Sequence, residues 1–342
     1  MPTVGIVGVG LIGRAWANVF ARAGWDVRLW DPDANALKAA PGLIEAALGD
    51  VARHGLAKDP AAAAKRLKVA ASLEEAVAGA ELVQESGPER LDVKRDVFAR
   101  LDAAAEPETI LATSSSFIVT SRFADGLKGR HRCLVAHPVN PPHVVPIVEL
   151  SGAPFTAPET ITKARAIYDS AGQVPVVVKK EIDGFILNRM QAVLLSEAMR
   201  LVGEGYVSAE DLDKTIRDGL GLRWAFMGPF ETIELNAPGG IADYCQRYGA
   251  TLAKLSSRPF TADLFGPENA ARIAASWGRS PSAEDIADKS RWRDERIAAL
   301  QAHKQAQERF TWAATSALKA AIQAKRLLRN KDGSITAPTA SK

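Results

Sequence analysis

Two groups of residues in this 342-residue chain have the types and spacing to do chemistry. The first is Gly8-Val9-Gly10-Leu11-Ile12-Gly13, which follows an apolar run at residues 4–7 and opens a helical stretch. Glycine at the first position permits a tight turn. At the second it lets backbone approach a ligand, and at the third it lets the helix pack on the strand. Leu11 and Ile12 begin the helix, whose free N–H groups and positive dipole end suit a phosphate. Asp31 ends the next strand-like run, 18 residues after Gly13. A carboxylate there can accept both ribose hydroxyls and repel a 2′-phosphate. Pro32 follows, and no Lys or Arg comes before Lys38 to neutralise such a phosphate. The pattern predicts a dinucleotide site for NAD rather than NADP. Asp31 as a plain helix cap is the competing reading.

The second group is polar. Ser114-Ser115-Ser116 follows an apolar run at 110–112, and His137 ends another at 133–136, just before Pro138-Val139-Asn140-Pro141-Pro142. Glu149 sits in the next apolar run, and Asn188 lies early in a helical stretch that begins at Phe185. Ligands of open α/β sheets bind outside the carboxyl ends of the strands, where the serines and His137 fall. The chain has only five histidines, and one at a strand end beside a proline loop is a candidate general base. Singly, each residue also has an ordinary structural reading. His137 could donate to a backbone carbonyl, Glu149 could be an ion-pair partner, Asn188 could bond a turn, and the serines could cap a helix.

The elements that must position these groups follow from hydrophobic periodicity. Strand-like runs at 4–7, 27–30, 67–70, 82–84, 110–112, 133–136 and 174–178 alternate with helical stretches at 11–23, 34–53, 73–78, 90–105 and 158–171. Such alternation predicts an α/β fold, a Rossmann-type doubly wound sheet with parallel strands and helices on both faces. Pro146 interrupts the apolar run at 144–150, which makes 147–150 an edge or late strand. After about Asp183 strand-like runs stop and helical stretches take over, with 185–204 the clearest and 290–328 the last. Ser208-Ala209-Glu210-Asp211 reads as a helix N-cap with acids in the first turn. The expected division is an NAD-binding domain at 1–182, an all-α substrate and dimerisation domain at 183–328, and a flexible tail at 329–342. An all-α unit of that size presents an apolar face to a twin, so a homodimer through it is expected.

Composition narrows the function classes. Hydrophobic residues make up 47% and charged residues 24%, the proportions of an ordinary globular protein. The net charge is +3 with both signs spread along the chain, which argues against a nucleic-acid partner. No apolar run approaches a membrane span, and the N-terminus lacks the basic region of a signal peptide. The cysteines, Cys133 and Cys245, form neither a disulfide framework nor a metal-ligand spacing. No metal is expected, and the expected compartment is the cytoplasm.

Taken together, SSSF, AHPVNPP, VEL, DGFILNRM and GLGLRWAFMGPFETIELN resemble the 3-hydroxyacyl-CoA dehydrogenase superfamily. Within it they are most similar to the λ-crystallin / L-gulonate 3-dehydrogenase branch, with L-carnitine dehydrogenase as a near relative. The resemblance runs from residue 4 to about residue 296. It implies NAD-dependent oxidation of the 3-hydroxyl of a small, L-gulonate-like hydroxy acid to the 3-keto acid. His137 takes the role of base, Glu149 that of its orienting carboxylate, and Asn188 that of the helix asparagine. The active-site serine falls on Ser116, or on Ser115 if the loop slips by one. Glu89 and Lys94 fall on a cofactor-contacting pair, with Glu85 near enough to compete and Arg90 where Asn is usual.

The chain departs from the acyl-CoA enzymes at Leu222-Arg223-Trp224-Ala225-Phe226, an insertion before MGPF. An arginine beside aromatic residues suits a substrate carboxylate, which makes Arg223 the candidate substrate ligand. The plain alternative is a surface arginine over a core Trp224. Trp224, Phe226 and Phe230 keep L-carnitine open, since a quaternary ammonium seeks aromatic faces. A 3-hydroxyacyl-CoA substrate and a non-catalytic, crystallin-like NAD binder complete the alternatives.

Overall fold

Successive side chains along a strand point to opposite faces, so the apolar runs supply two cores at once. In the computed structural model, which describes residues 1–255, 261–276 and 282–307, Val4, Ile6, Leu82, Leu134 and Ala136 pack on one face with Trp16, Phe20 and Tyr168. Val7, Val83, Leu111 and Val135 pack on the other with Leu73, Phe98 and Phe123. A sheet covered on both faces is what near-continuous β-branched runs specify.

The sheet has eight strands in the order β3-β2-β1-β4-β5-β6-β7-β8. They are β1 (Thr3–Val7), β2 (Asp26–Trp30), β3 (Leu67–Val69), β4 (Leu82–Glu85), β5 (Ile110–Thr113), β6 (Cys133–Pro138), β7 (Ile147–Gly152) and β8 (Val174–Val178). From β3 to β6 every neighbouring pair is parallel. The order reverses between β1 and β4, which opens a crevice at the carboxyl ends. Helices Leu11–Arg22, Ala34–Ala52, Leu91–Ala104 and Pro158–Ser170 cover the faces. The Rossmann-type expectation is met, with one correction. β7 is an inner strand between β6 and β8, and it runs antiparallel to β6. Residues 139–146 join β6 to β7. That is too short for the crossover of a dozen or more residues that a parallel pair needs. A short helix at Pro60–Ala64 also goes beyond the sequence expectation, because a single turn shows no readable period.

Beyond β8 the described residues form helices, among them Leu187–Gly203, Ala209–Lys214, Gly240–Leu255, Pro267–Ser276 and Ala283–Ala306. Ser208 caps as expected, accepting from Asp211 N at 3.1 Å. Met1–Gln301 form one compact unit. Of the expected 290–328 helix, residues 308–328 lie outside the described residues, as does the tail at 329–342. Among the described residues no helix is long and apolar enough to cross a membrane.

The Ala283–Ala306 helix lays Ile297 and Ala298 on Val51, Ala57 and Val144. His143 is the neighbour of that cluster in sequence. Its pKa falls from 6.5 to about 4, first through burial and then through the charge of Arg22, with Asp294 and Asp50 opposing. The unfolded chain therefore takes up this proton near pH 6.5 and the folded chain only near 4, so stability is lost as pH falls across that window. Urea unfolding at pH 7 and pH 5 should show this loss, up to about 3 kcal/mol by pH 4. His143→Gln should flatten the slope; an unchanged slope would refute the assignment.

Candidate active site

The glycine loop is shaped by contacts that a side chain would prevent. Gly8 has φ +93°, and a Cβ there would lie 2.9 Å from the Ser86 carbonyl. A Cβ on Gly13 would lie 1.8 Å from the Gly8 oxygen, so the helix meets the turn only through glycine. Gly10 has nothing within 4 Å of its Cβ position, and no side chain caps the helix that starts at Leu11. The loop thus offers open space and free N–H groups where a diphosphate would lie. Asp31 is no helix cap; Asp33 does that work, accepting from Asn35 N at 2.8 Å. Asp31 instead accepts from Val9 N at 2.7 Å and from Asp33 N at 2.9 Å, one bond per oxygen. Each oxygen keeps a lone pair for a ribose hydroxyl. These residues fit NAD.

The polar constellation assembles around Glu149. In the β6–β7 ladder His137 stands directly opposite Glu149. His137 Nδ1 lies 2.9 Å from Glu149 Oε2, and both residues are buried, at 4% and 3% exposure. The other oxygen, Oε1, accepts from Ile186 N at 2.8 Å and Leu187 N at 3.0 Å, the start of the Leu187–Gly203 helix. That helix begins two residues later than its sequence pattern suggests, because Gly184 and Phe185 have φ +75° and +49°. Phe185 is fully buried and rests on the His137 ring, 5.2 Å between centroids. Asn188, one residue into the helix, donates through Nδ2 to the Ser116 carbonyl at 2.9 Å.

The serines divide their work. Ser115 is fully buried and donates to Glu89 Oε1 at 2.5 Å, while its oxygen accepts from Ile118 N at 2.9 Å. Ser114 Oγ lies among Trp16, Gln84 and Ser86. Ser116 is half-buried, and its hydroxyl makes no hydrogen bond among the described residues. Ser116 is therefore the serine of the run whose hydroxyl is left unbonded among the described residues.

Glu89 and Lys94 do not pair. Lys94 Nζ lies 2.9 Å from Glu85 Oε2 and 3.1 Å from Thr113 Oγ1, at 1% exposure. Glu85 Oε1 takes Gly87 N at 2.6 Å. Of the cofactor-contacting pair that the resemblance implies, Lys94 turns its ammonium into this buried triad with the competing Glu85. Glu89 instead ties the serine loop, accepting from Ser115 and from the Phe117 and Ile118 N–H groups. Burial pushes its carboxyl up, but those bonds and the Lys94 charge outweigh it and leave Glu89 below the usual range. Sequence reasoning placed Glu85 only as a competitor and missed Thr113. A carboxylate closing the Leu82-Val83-Gln84 run just before the serine-glycine turn was the available signal, since a carboxylate carried into the sheet must find a cation or donors.

Arg223 is not brought to this cluster. It lies exposed in the short helix Gly221–Trp224, and its guanidinium makes no hydrogen bond or ion pair among the described residues. Trp224 is 39% exposed, so it is not the core residue of the plain alternative. Arg90 pairs with Asp92.

Comparison with known proteins places the chain in a family. Residues 3–182 match the 3-hydroxyacyl-CoA dehydrogenase NAD binding domain, and residues 184–276 match its C-terminal domain. The chain is 40% identical to lambda-crystallin of Oryctolagus cuniculus over 310 residues, covering 88% of this chain and 97% of that protein. It is 38% identical to L-carnitine dehydrogenase of Streptomyces coelicolor over 293 residues, 84% and 91% of the two chains. Among solved structures, it is similar to 5-formyl-3-hydroxy-2-methylpyridine 4-carboxylic acid 5-dehydrogenase, an NAD+-dependent dismutase. There the TM-score is 0.77 at 28% identity, with 90% of this chain and 100% of that one covered.

The buried triad generates a stability test. Lys94→Met leaves the Glu85 carboxylate buried without its cation, and should cost about 3–5 kcal/mol in urea unfolding. A loss below about 1 kcal/mol, the range of an exposed pair, would mean that water reaches Glu85.

Proposed function

The chain belongs to the 3-hydroxyacyl-CoA dehydrogenase family and is an NAD-dependent dehydrogenase acting on a CH–OH group; from that premise we propose that it oxidises the 3-hydroxyl of a small, L-gulonate-like hydroxy acid to the 3-keto acid. The observation that carries the reading is the His137–Glu149 pair. With Nδ1–H donated to Glu149, the lone pair of His137 is on Nε2, which takes the hydroxyl proton of the substrate. Glu149 holds that tautomer and stabilises the imidazolium, as the acid of a Ser-His-Asp triad does. Bound NAD supplies the hydride acceptor. The Ser116 hydroxyl and Asn188, whose second Nδ2–H is left over from the bond to the Ser116 carbonyl, donate to the reacting oxygen. Gly8, Gly10, Leu11, Ile12, Gly13 and Asp31 bind the dinucleotide. A non-catalytic NAD binder would have no need of a buried histidine–carboxylate pair.

The choice of a free acid rests on the insertion that acyl-CoA enzymes lack: its Arg223, which the single chain leaves exposed and outside the His137 cluster, is the proposed ligand of the substrate carboxylate. L-Carnitine, which also carries a carboxylate, is the second substrate to assay. We further propose a cytoplasmic homodimer through the helical part. Met190 (61% exposed), Val193 (56%) and Phe230 (73%) are apolar side chains that a second copy would cover, and both cysteines are free thiols.

Two experiments test the reading. His137→Ala should lower kcat by roughly 10²–10⁴-fold with NADH affinity retained, and Glu149→Gln should give a partial loss; wild-type kcat in His137→Ala would refute the mechanism. Against a panel of 3-hydroxy acids and their esters, Arg223→Met should raise KM for the acid by about one to two decades, the worth of a charge-assisted bond. The ester should be indifferent. Equal losses for acid and ester would remove Arg223 from the substrate site.

A further inference from the structure

Ser86 is the first residue beyond β4 and lies against the glycine turn, its carbonyl 2.9 Å from the Cβ position of Gly8. Nothing in the glycine motif or the histidine constellation assigns it a role. Its hydroxyl is 2.9 Å from Ser114 Oγ, a pair in which either oxygen could donate. The groups around Ser114 decide the direction. Trp16 Nε1 at 3.1 Å and Gln84 Nε2 at 2.8 Å reach the same oxygen, and both groups can only donate. A hydroxyl oxygen has two lone pairs, so these N–H groups fill them. The Ser114 proton therefore goes to Ser86.

Gln84 is itself oriented from within the core. Tyr168, fully buried, donates its phenol proton to Gln84 Oε1. Burial holds the Tyr168 hydroxyl well above the usual tyrosine range, so it stays a donor. Turning the amide round would leave that phenol proton buried without an acceptor, a costly arrangement. The bonds thus run one way, from Tyr168 through Gln84 and Ser114 to Ser86, with Trp16 as the second donor to Ser114. Each polarises the next. Ser86, half-buried at the carboxyl edge of the sheet, accepts the last of these bonds and has its own proton left to donate outward.

Position identifies the acceptor. β1 lies between β2 and β4, so Asp31, just after β2, and Ser86, just after β4, flank the glycine turn. With Asp31 on the adenosine ribose and the turn on the diphosphate, Ser86 faces the other half of the dinucleotide. We propose that Ser86 is a cofactor ligand whose hydroxyl donates to an oxygen on the nicotinamide side of NAD. Tyr168, Gln84, Ser114 and Trp16 are the positioning residues that fix its direction.

The test is binding without substrate, so its outcome does not depend on which hydroxy acid is oxidised. NADH fluorescence titration of Ser86→Ala should give a Kd about 5–10-fold above wild type, the worth of one directed hydrogen bond. ADP, which lacks the nicotinamide half, should bind both proteins within about twofold. Tyr168→Phe should weaken NADH binding by about two- to threefold in the wild-type background and not at all in the Ser86→Ala background. An unchanged NADH Kd in Ser86→Ala overturns the proposal. So does an equal loss for ADP, which would make Ser86 a support of the glycine turn. A Tyr168→Phe loss that persists in the Ser86→Ala background overturns the positioning role of Tyr168.

Discussion

A buried carboxylate ties the sheet to the first long helix beyond it. Glu149 gives one oxygen to His137 and the other to the first two N–H groups of the Leu187–Gly203 helix. Those N–H groups lie at the positive end of the helix dipole and stabilise the anion. His137 fixes the other end of the contact. The helix therefore cannot shift along the sheet without breaking the bonds that orient the His137 imidazole. The same helix brings Asn188 to Ser116, so the groups proposed to surround the reacting oxygen share one mechanical origin. Phe185, held in a left-handed backbone conformation and packed on the imidazole, closes the joint with an apolar ring.

The neighbouring strands show the same economy with charge. Glu85 closes β4, and its carboxylate is matched by Lys94, Thr113 and the Gly87 N–H. Glu89 collects three donors from the serine loop and so fixes which serine points where. Buried carboxylates are tolerated only when their lone pairs are met. Here each match also determines a loop conformation at the carboxyl edge of the sheet. Rigid loops at that edge are what a hydride transfer needs, because small misplacements of a reacting group are expensive in rate.

The helical part is built differently. The sheet cores are almost wholly apolar and enclosed, whereas Met190, Val193 and Phe230 stand open in the single chain. A helix face of this kind is unfinished in one protomer, which is the physical ground for the proposed homodimer. Arg223 belongs to this open region rather than to the enclosed one.

Much of this was legible in the sequence. Near-continuous apolar runs and period-3.6 patterns determined the strands of the Rossmann-type sheet and its covering helices, because burial on both faces demands uninterrupted apolar runs. The glycine turn was legible too, because Gly8 and Gly13 lie where a Cβ would meet backbone, whereas the partners of Asp31 were not. Tertiary structure alone decided the partners of the charged groups. That Lys94 meets Glu85 rather than Glu89 depends on which strand lies beside β4. That Ser116 rather than Ser115 faces outward depends on a carboxylate from another loop. That β7 runs against β6 depends on the length of one connection, and the antiparallel register then sets Glu149 opposite His137. Periodicity is written locally and survives in a one-dimensional reading; the pairing of polar groups is settled by distances across the fold, which no spacing along the chain encodes.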